Sequence, residues 1–117
     1  GNGPVGQRLT ELLVAEKKED LEVVSFCEER FSCYNRVQLT KWFEDRDVQS
    51  LSMVGDYDAE GVGSFFKEEP TAKVRVNDRA EAIDLEKKVV KSQRGDEVPY
   101  DVAVLATGSY PFVPPIP

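Results

Sequence analysis

The sequence predicts an α/β fold in which helices cover a parallel sheet and a small antiparallel meander is added to it. Three features of the 117 residues predict this fold. A glycine-rich turn at residues 1–6 leads into an amphipathic helical pattern. Strand patterns with apolar residues on both faces follow at residues 21–27 and 101–108. Such strands are typical of a parallel sheet that is buried on both sides.

The first element is a helix that begins directly after the turn. Pro4 lies in the first helical turn, where proline is tolerated because its missing N–H would have no partner there. Apolar residues then recur at helical spacing up to the polar run 16–19, and they are Val5, Leu9, Leu12 and Leu13. We expect this apolar stripe to be the inward face of the helix.

The turn itself has the GxGxxG pattern of a Rossmann-like dinucleotide site, although ordinary glycine-rich loops also match it. Its first glycine allows the bend, its second lets a pyrophosphate approach the backbone, and its third packs helix on strand. The helix start offers free N–H groups to the phosphates. Glu28 follows 22 residues after Gly6, where an acid would accept the ribose hydroxyls. The candidate binding residues here are Gly1, Asn2, Gly3, Pro4, Val5, Gly6 and Glu28.

This motif needs a strand in front of it, and neither an apolar run nor an initiator Met precedes Gly1. We therefore expect residues 1–117 to form a partial domain that lacks its first strand, within a longer protein. The prolines Pro111, Pro114, Pro115 and Pro117 prevent regular structure at the other end and are expected to lead out of the domain.

Between these ends, residues 36–44 and 58–69 have helical patterns, whereas residues 72–77, 80–86 and 89–92 look like short strands. The side chains expected to face inward from the two helices are Leu39, Trp42, Phe43, Val62, Phe65 and Phe66. The glycines at 61 and 63 weaken the second helix.

The closing strand ends in Ala106, Thr107 and Gly108. Ligands of open α/β sheets bind at the carboxyl ends of the strands, and a glycine there lets a cofactor lie against the backbone. These three residues are therefore further candidates for cofactor binding. The alternative is a glycine that merely ends a strand.

Composition excludes several classes of function. A net charge of −7 argues against nucleic acid as a partner, and no apolar run is long enough to span a membrane. Histidine is absent, and two cysteines are too few for a disulfide framework or a metal cluster, so no metal site is expected. We expect a cytoplasmic protein whose chemistry comes from a bound cofactor.

These motifs resemble the flavoprotein reductases of the pyridine nucleotide-disulfide oxidoreductase superfamily. Their FAD domain has a GxGxxG turn, a ribose acid, an antiparallel meander, here the segment near 74–90, and a Tyr-Asp strand that ends in Ala-Thr-Gly. Within the superfamily, residues 26–29 (Phe-Cys-Glu-Glu), 34–37 (Tyr-Asn-Arg-Val) and 106–115 (Ala-Thr-Gly-Ser-Tyr-Pro-Phe-Val-Pro-Pro) are similar to the N-terminal FAD domain of assimilatory NAD(P)H nitrite reductase large subunits.

The resemblance implies an electron-entry domain. In such enzymes FAD accepts electrons from NAD(P)H, which a following domain binds, and an iron-sulfur cluster and siroheme elsewhere in the complete protein use them to reduce nitrite to ammonium. The partners implied are FAD and the remaining domains of the same polypeptide, and a homodimer of the complete protein stays open. The FAD domain of the family is also completed by a C-terminal return segment, which this chain is expected to lack. Alone, the chain is expected to be inactive.

The resemblance implies that the glycines of the turn contact the FAD pyrophosphate and that Arg36 neutralises its charge. It also implies that Glu28 binds the adenosine ribose. Arg79 and Ala80 would run beside the adenine and contact it through their backbone atoms. Lys41 matches a lysine that lies near the flavin N5 in related reductases, which makes it the one candidate catalytic residue. Two alternatives stay open, because Arg36 is also compatible with an exposed loop and Lys41 with a solvated helix face. The residues at 37 and 38 depart from the related Arg-Pro-x-Leu-Ser-Lys pattern.

Cys27 and Cys33 differ from the redox pair of the superfamily's disulfide reductases, because their spacing is longer and Cys27 precedes Glu28. We expect buried, inert thiols. Two functions other than a nitrite reductase stay open at this point. One is the FAD domain of a ferredoxin- or rubredoxin-type NAD(P)H reductase, and the other is a flavin-binding module without catalytic activity.

Overall fold

The computed structural model describes residues 1–116, so Pro117 of the predicted exit segment lies outside the described residues. The helices are α1 (Pro4–Ala15), α2 (Leu39–Asp45) and α3 (Phe65–Glu68). The strands are β1 (Val23–Phe26), β2 (Ala72–Arg75), β3 (Ala80–Asp84), β4 (Val89–Ser92) and β5 (Glu97–Pro99). Single 3₁₀ turns occupy Arg36–Gln38 and Gln49–Leu51.

Two small sheets confirm the predicted α/β architecture with an added meander. β1 and β2 pair in parallel, from Val23 opposite Ala72 to Phe26 opposite Arg75. β3, β4 and β5 form an antiparallel meander in that order. The prediction that the meander begins near Val74 is wrong, because β2 belongs to the parallel sheet. Ala72 of β2 is fully buried in the core. Pairing with β1 places it there, because a parallel sheet is covered by other elements.

The helix after the turn forms as predicted, with Pro4 in its first turn. The predicted inward face is only partly buried, because Val5 is 76% exposed and Leu12 is 51% exposed, whereas Leu9 and Leu13 are half-buried. The buried residues of α1 are Gly6, Gln7 and Thr10. The Thr10 hydroxyl donates to the Gly6 carbonyl at 2.9 Å. This face carries small and hydrogen-bonded side chains because α1 lies directly against the glycine-rich loop.

The predicted helix 36–44 is present as a 3₁₀ turn followed by α2, but its apolar side chains do not all face inward. Phe43 is 70% exposed and Leu39 is 42% exposed, whereas Trp42 is half-buried. The Arg46 guanidinium lies 4.2 Å from the centre of the Trp42 ring, which is the geometry of a cation–π contact.

Only the last turn of the predicted helix 58–69 is helical, as α3. The residues before it form a loop around Gly61, whose φ is +89°. One carboxylate oxygen of Asp58 accepts the backbone N–H groups of Glu60 and Val62 at 2.9 and 3.0 Å. A left-handed glycine and an aspartate that satisfies nearby N–H groups favour a turn over a helix.

The prediction of a closing strand at 101–108 is wrong for this structure. The segment has no strand pairing among the described residues, and its apolar residues Val102, Val104 and Leu105 are exposed. Strand conformation requires a hydrogen-bonded neighbour, and neither β1 nor β2 pairs with this segment within residues 1–116. Ala106 alone is half-buried, because it lies against the glycine-rich loop.

The core lies between the parallel sheet and the loops that follow it. Its buried members are Cys33, Val54, Tyr57, Phe66 and Ala72. The Tyr57 hydroxyl donates to the carbonyls of Ser32 and Cys33, both at 2.9 Å, so this aromatic side chain joins the core to the loop after β1. In the described part of the chain, no helix has the length and apolar character to cross a membrane.

Candidate functional site

The glycine-rich loop packs tightly at two of its glycines and is open at the third. A Cβ atom on Gly6 would lie 1.9 Å from the carbonyl oxygen of Gly1, and one on Gly1 would lie 2.1 Å from the carbonyl oxygen of Ala106. A Cβ atom on Gly3 would meet no described atom within 4 Å. Gly1 and Gly6 are therefore required by packing, whereas Gly3 faces a space in which a ligand can approach the backbone.

Asn2 fixes this loop to the segment after β1. Its side chain is buried, and its amide nitrogen donates to Oε1 of Gln7 at 3.0 Å. Its Oδ1 accepts the backbone N–H of Cys33 at 2.7 Å. The sequence placed Asn2 in the site only as a member of the motif. The hydrogen bond between Asn2 and Cys33 joins residues 31 positions apart, and no local sequence pattern predicts it.

Glu28 follows the end of β1 and is exposed. The Tyr110 hydroxyl donates a hydrogen bond to Oε2 of Glu28, which raises the pKa of Tyr110. Nη1 of Arg79 lies 3.8 Å from Oε1 of the same carboxylate. Three residues that are distant in sequence therefore meet at the predicted ribose acid. Of these, Tyr110 was missed as a site residue, although it lies two residues after the Ala-Thr-Gly segment.

Arg36 and Lys41 lie on the segment that leads into α2 and on α2 itself. Nη2 of Arg36 donates to Oε1 of Glu29 at 2.7 Å, and its guanidinium lies 5.1 Å from the centre of the Tyr34 ring. The hydrogen bond to Glu29 raises the pKa of Arg36. Arg36 is thus an exposed but paired arginine, and Lys41 is exposed on α2.

The remaining predicted residues are Ala80 and the segment Ala106, Thr107 and Gly108. Ala80 is exposed and begins β3, directly after Arg79. Ala106 touches the loop, while Thr107 and Gly108 are exposed beyond it. Gly108 has a φ of +71°, a conformation that favours glycine.

The two thiols are buried and free among the described residues. Burial raises the pKa of Cys27, and burial together with Glu11 and Cys27 raises the pKa of Cys33 to about 11. Both are therefore protonated at neutral pH, as expected for inert thiols. No group of three metal-ligating side chains occurs among residues 1–116.

The fold is similar to that of solved pyridine nucleotide-disulfide oxidoreductases. An NAD-dependent persulfide reductase from A. fulgidus matches 99% of this chain with a TM-score of 0.75 and 25% identity, over 22% of its own chain. An NADH:rubredoxin oxidoreductase from Clostridium acetobutylicum shares the fold over 86% of this chain and 24% of its own, with a TM-score of 0.65 and 20% identity. No protein-family model matches the sequence.

The proteins that are similar in sequence point to a narrower group of enzymes than the solved structures do. The chain matches a segment of NAD(P)H nitrite reductase large subunits, with 41% identity over 100% of this chain to the large subunit of Klebsiella oxytoca. The large subunit of the NADH nitrite reductase of Escherichia coli is 39% identical over 99% of this chain. The chain spans only 12% and 13% of the length of these two relatives.

Proposed function

We propose that this chain is the FAD-binding, electron-entry domain of an NAD(P)H-dependent nitrite reductase. One observation carries the proposal. An exposed acid follows the end of β1, and a glycine-rich loop with an open space over Gly3 is hydrogen-bonded through Asn2 to the segment that follows this acid. That arrangement offers backbone N–H groups to a pyrophosphate and a carboxylate to a ribose. The relatives named as nitrite reductases support the choice of enzyme.

The residues present fit a dinucleotide. The 12-residue helix α1 begins at the loop, and in the described chain no acidic residue lies in its first turn and no side chain caps its start. Its first N–H groups are therefore available to an anion. The open space at Gly3 can admit a phosphate group close to the backbone, and a Cβ atom at this position would partly fill that space. Glu28 is exposed, so its carboxylate can accept hydroxyl groups from outside.

Most of the predicted residues then have a defined role toward FAD. Gly1, Gly3 and Gly6 would hold the pyrophosphate by their backbone, and Arg36 would add charge neutralisation. Glu28 would orient the adenosine ribose, with Arg79 and Ala80 beside the adenine. Ala106, which lies against the loop, would border the cofactor together with Thr107 and Gly108, and Lys41 would lie toward the flavin ring.

Bound FAD would supply two-electron uptake from NAD(P)H and stepwise release of the electrons to an iron-sulfur cluster and siroheme elsewhere in the protein. The described residues would bind and orient this cofactor. We accordingly propose that residues 1–117 are a partial domain whose remaining parts, including the NAD(P)H-binding domain, belong to the same polypeptide. A homodimer of that polypeptide stays a prediction.

The test uses the complete protein that contains these residues. Purified protein is expected to show the absorbance of bound FAD, to be bleached by NADH or NADPH without oxygen, and to convert nitrite to ammonium with three NAD(P)H consumed per nitrite. Bleaching with transfer to rubredoxin or ferredoxin but not to nitrite would instead indicate a simple reductase. Absence of flavin from the purified protein would contradict the proposal.

A further inference from the structure

A sharp corner between β2 and β3 holds the backbone on both sides of Glu28. The N–H of Asn77 donates to the carbonyl of Glu29 at 3.0 Å, and the N–H of Asp78 donates to the carbonyl of Cys27 at 3.0 Å. The next residue, Arg79, reaches the Glu28 carboxylate itself. Three successive residues of the corner therefore contact three successive residues around the predicted ribose acid.

The corner is held in place by the side chain of Asp78, which is fully buried. Its Oδ2 accepts from Nε of Arg75 at 2.7 Å, and its Oδ1 accepts from the backbone N–H of Arg94 at 3.3 Å. Arg75 belongs to β2, while Arg94 lies in the turn that joins β4 to β5. One carboxylate thus joins the parallel sheet to the meander directly behind Glu28.

The bonds to Asp78 favour its charged form. Burial raises the pKa of this carboxyl, but the hydrogen bonds that it accepts, with that from Arg75 the strongest, outweigh burial and hold the pKa below its usual range. Asp78 therefore stays ionised at neutral pH, and its bonds are charge-assisted. The bend beside it is specific as well, because Asn77 has a φ of +51°, a conformation that asparagine and glycine tolerate and β-branched residues do not.

We propose that Asp78 is a positioning residue for the nucleotide site, acting through Glu28. It fixes the corner that carries the two backbone bonds flanking Glu28 and the guanidinium beside its carboxylate, so the affinity for an adenosine-containing flavin depends on a side chain that the ligand does not touch. This inference rests on the proposed function, in which Glu28 binds the adenosine ribose.

The experiment compares ligands that differ in the adenosine half. In the deflavinated complete protein, Asp78→Asn is expected to weaken FAD binding about tenfold, the loss expected from one displaced charge-assisted hydrogen bond at Glu28. FMN, which lacks adenosine, is expected to bind as to the wild type. Asp84→Asn is the matched control, because Asp84 also accepts two backbone N–H groups in the meander but is the last residue of β3, away from the corner.

A double-variant cycle tests whether Asp78 acts through Glu28. Glu28→Gln alone is expected to weaken FAD binding, and Asp78→Asn combined with Glu28→Gln is expected to be no weaker than Glu28→Gln by more than about twofold. Additive losses, or equal losses for FAD and FMN, would overturn the inference and leave Asp78 with a general structural role. A wild-type protein that does not bind FAD would overturn the proposed function, and this inference with it.

A second pair of variants covers the case in which Asp78→Asn does not fold. Asn77 is exposed, so substitutions there disturb only the bend. Asn77→Gly keeps the left-handed conformation accessible and is expected to bind FAD as the wild type does. Asn77→Val opposes this conformation and is expected to weaken FAD but not FMN binding. Equal FAD affinities of the two variants would contradict the proposal.

Discussion

Oδ1 of Asn2 accepts the backbone N–H of Cys33 at 2.7 Å, and this bond joins the start of the glycine-rich loop to the segment that follows β1. The same side chain donates to Gln7 in α1. The loop, the helix and the segment leading to Arg36 are therefore held by one buried amide. The geometry of the proposed nucleotide site depends on this amide as well as on the glycines.

Replacing Asn2 by leucine should destabilise the domain. The change leaves the N–H of Cys33 buried without its acceptor, and an unsatisfied buried group costs roughly 1–3 kcal/mol. Chemical denaturation of the complete protein, followed through release of the flavin, measures the loss. Gln38→Leu serves as the control, because Gln38 is exposed. Equal midpoints for the two variants would contradict the importance of the Asn2 amide.

Alanine substitutions should separate the two kinds of glycine in the loop. Gly3→Ala should leave the fold stable and weaken FAD binding, because its Cβ atom enters open space toward the ligand. Gly6→Ala should destabilise the fold itself, since its Cβ atom would overlap the carbonyl oxygen of Gly1. Thermal unfolding and flavin stoichiometry are measured on both. Loss of stability in Gly3→Ala with retained FAD would refute the assignment.

Glu28→Lys should weaken FAD binding by about 2 kcal/mol or more, roughly 30-fold, because a ribose acceptor becomes a cation that can only donate. Equilibrium titration of the deflavinated protein with FAD measures the change. Glu86→Lys, at an exposed turn of the meander, makes the same charge change away from the site. Unchanged flavin affinity in Glu28→Lys would remove Glu28 from the site.

Lys41→Ala tests whether this exposed residue lies near the flavin ring. A cation beside the ring stabilises the anionic reduced form, so its removal should lower the potential by about 30 mV, equivalent to about 1.4 kcal/mol for a two-electron couple. FAD stoichiometry should not change. Potentiometric titration is compared with that of Lys87→Ala, a lysine in the meander turn. A potential equal to that of the wild type would assign Lys41 to the solvated face of α2.

The thiols should resist alkylation in the folded protein. Because the pKa of Cys33 is raised to about 11, its thiolate is scarce at pH 8, and the labelling rate should rise about tenfold per pH unit until the pH approaches that value. Iodoacetamide labelling followed by mass spectrometry measures the rates of Cys27 and Cys33, with the urea-unfolded protein as the reference. Rapid labelling at pH 7, or a disulfide in the purified protein, would contradict inert thiols.

The sequence predicted the elements whose signals are local. The helix after the glycine-rich turn, the strand before Glu28 and the meander at β3 and β4 were all evident from spacing and periodicity. The inward face of α1 was only partly right, because hydrophobic periodicity could not show that Gly6, Gln7 and Thr10 are its buried residues. The strand at 101–108 was wrong, because strand character in a sequence does not supply a hydrogen-bonded neighbour.

The site was predicted in part for the same reason. Motif spacing identified the glycines and Glu28, whose roles toward FAD stay predictions. Tyr110 and Asp78 escaped notice because their contacts join segments far apart in the sequence. Burial of a charged residue such as Asp78 is unusual, so a sequence alone does not predict it. The structure explains the burial, because Arg75 and Arg94 donate hydrogen bonds to the carboxylate.

The bonds that hold the corner behind Glu28 use the carbonyl groups of Cys27 and Glu29, not their side chains. These two backbone bonds can therefore form whichever side chains stand at positions 27 and 29. The backbone bonds that hold the corner do not involve the side chain at position 28, so this side chain can be changed while those bonds are kept. Redesign of nucleotide preference can begin with that one side chain.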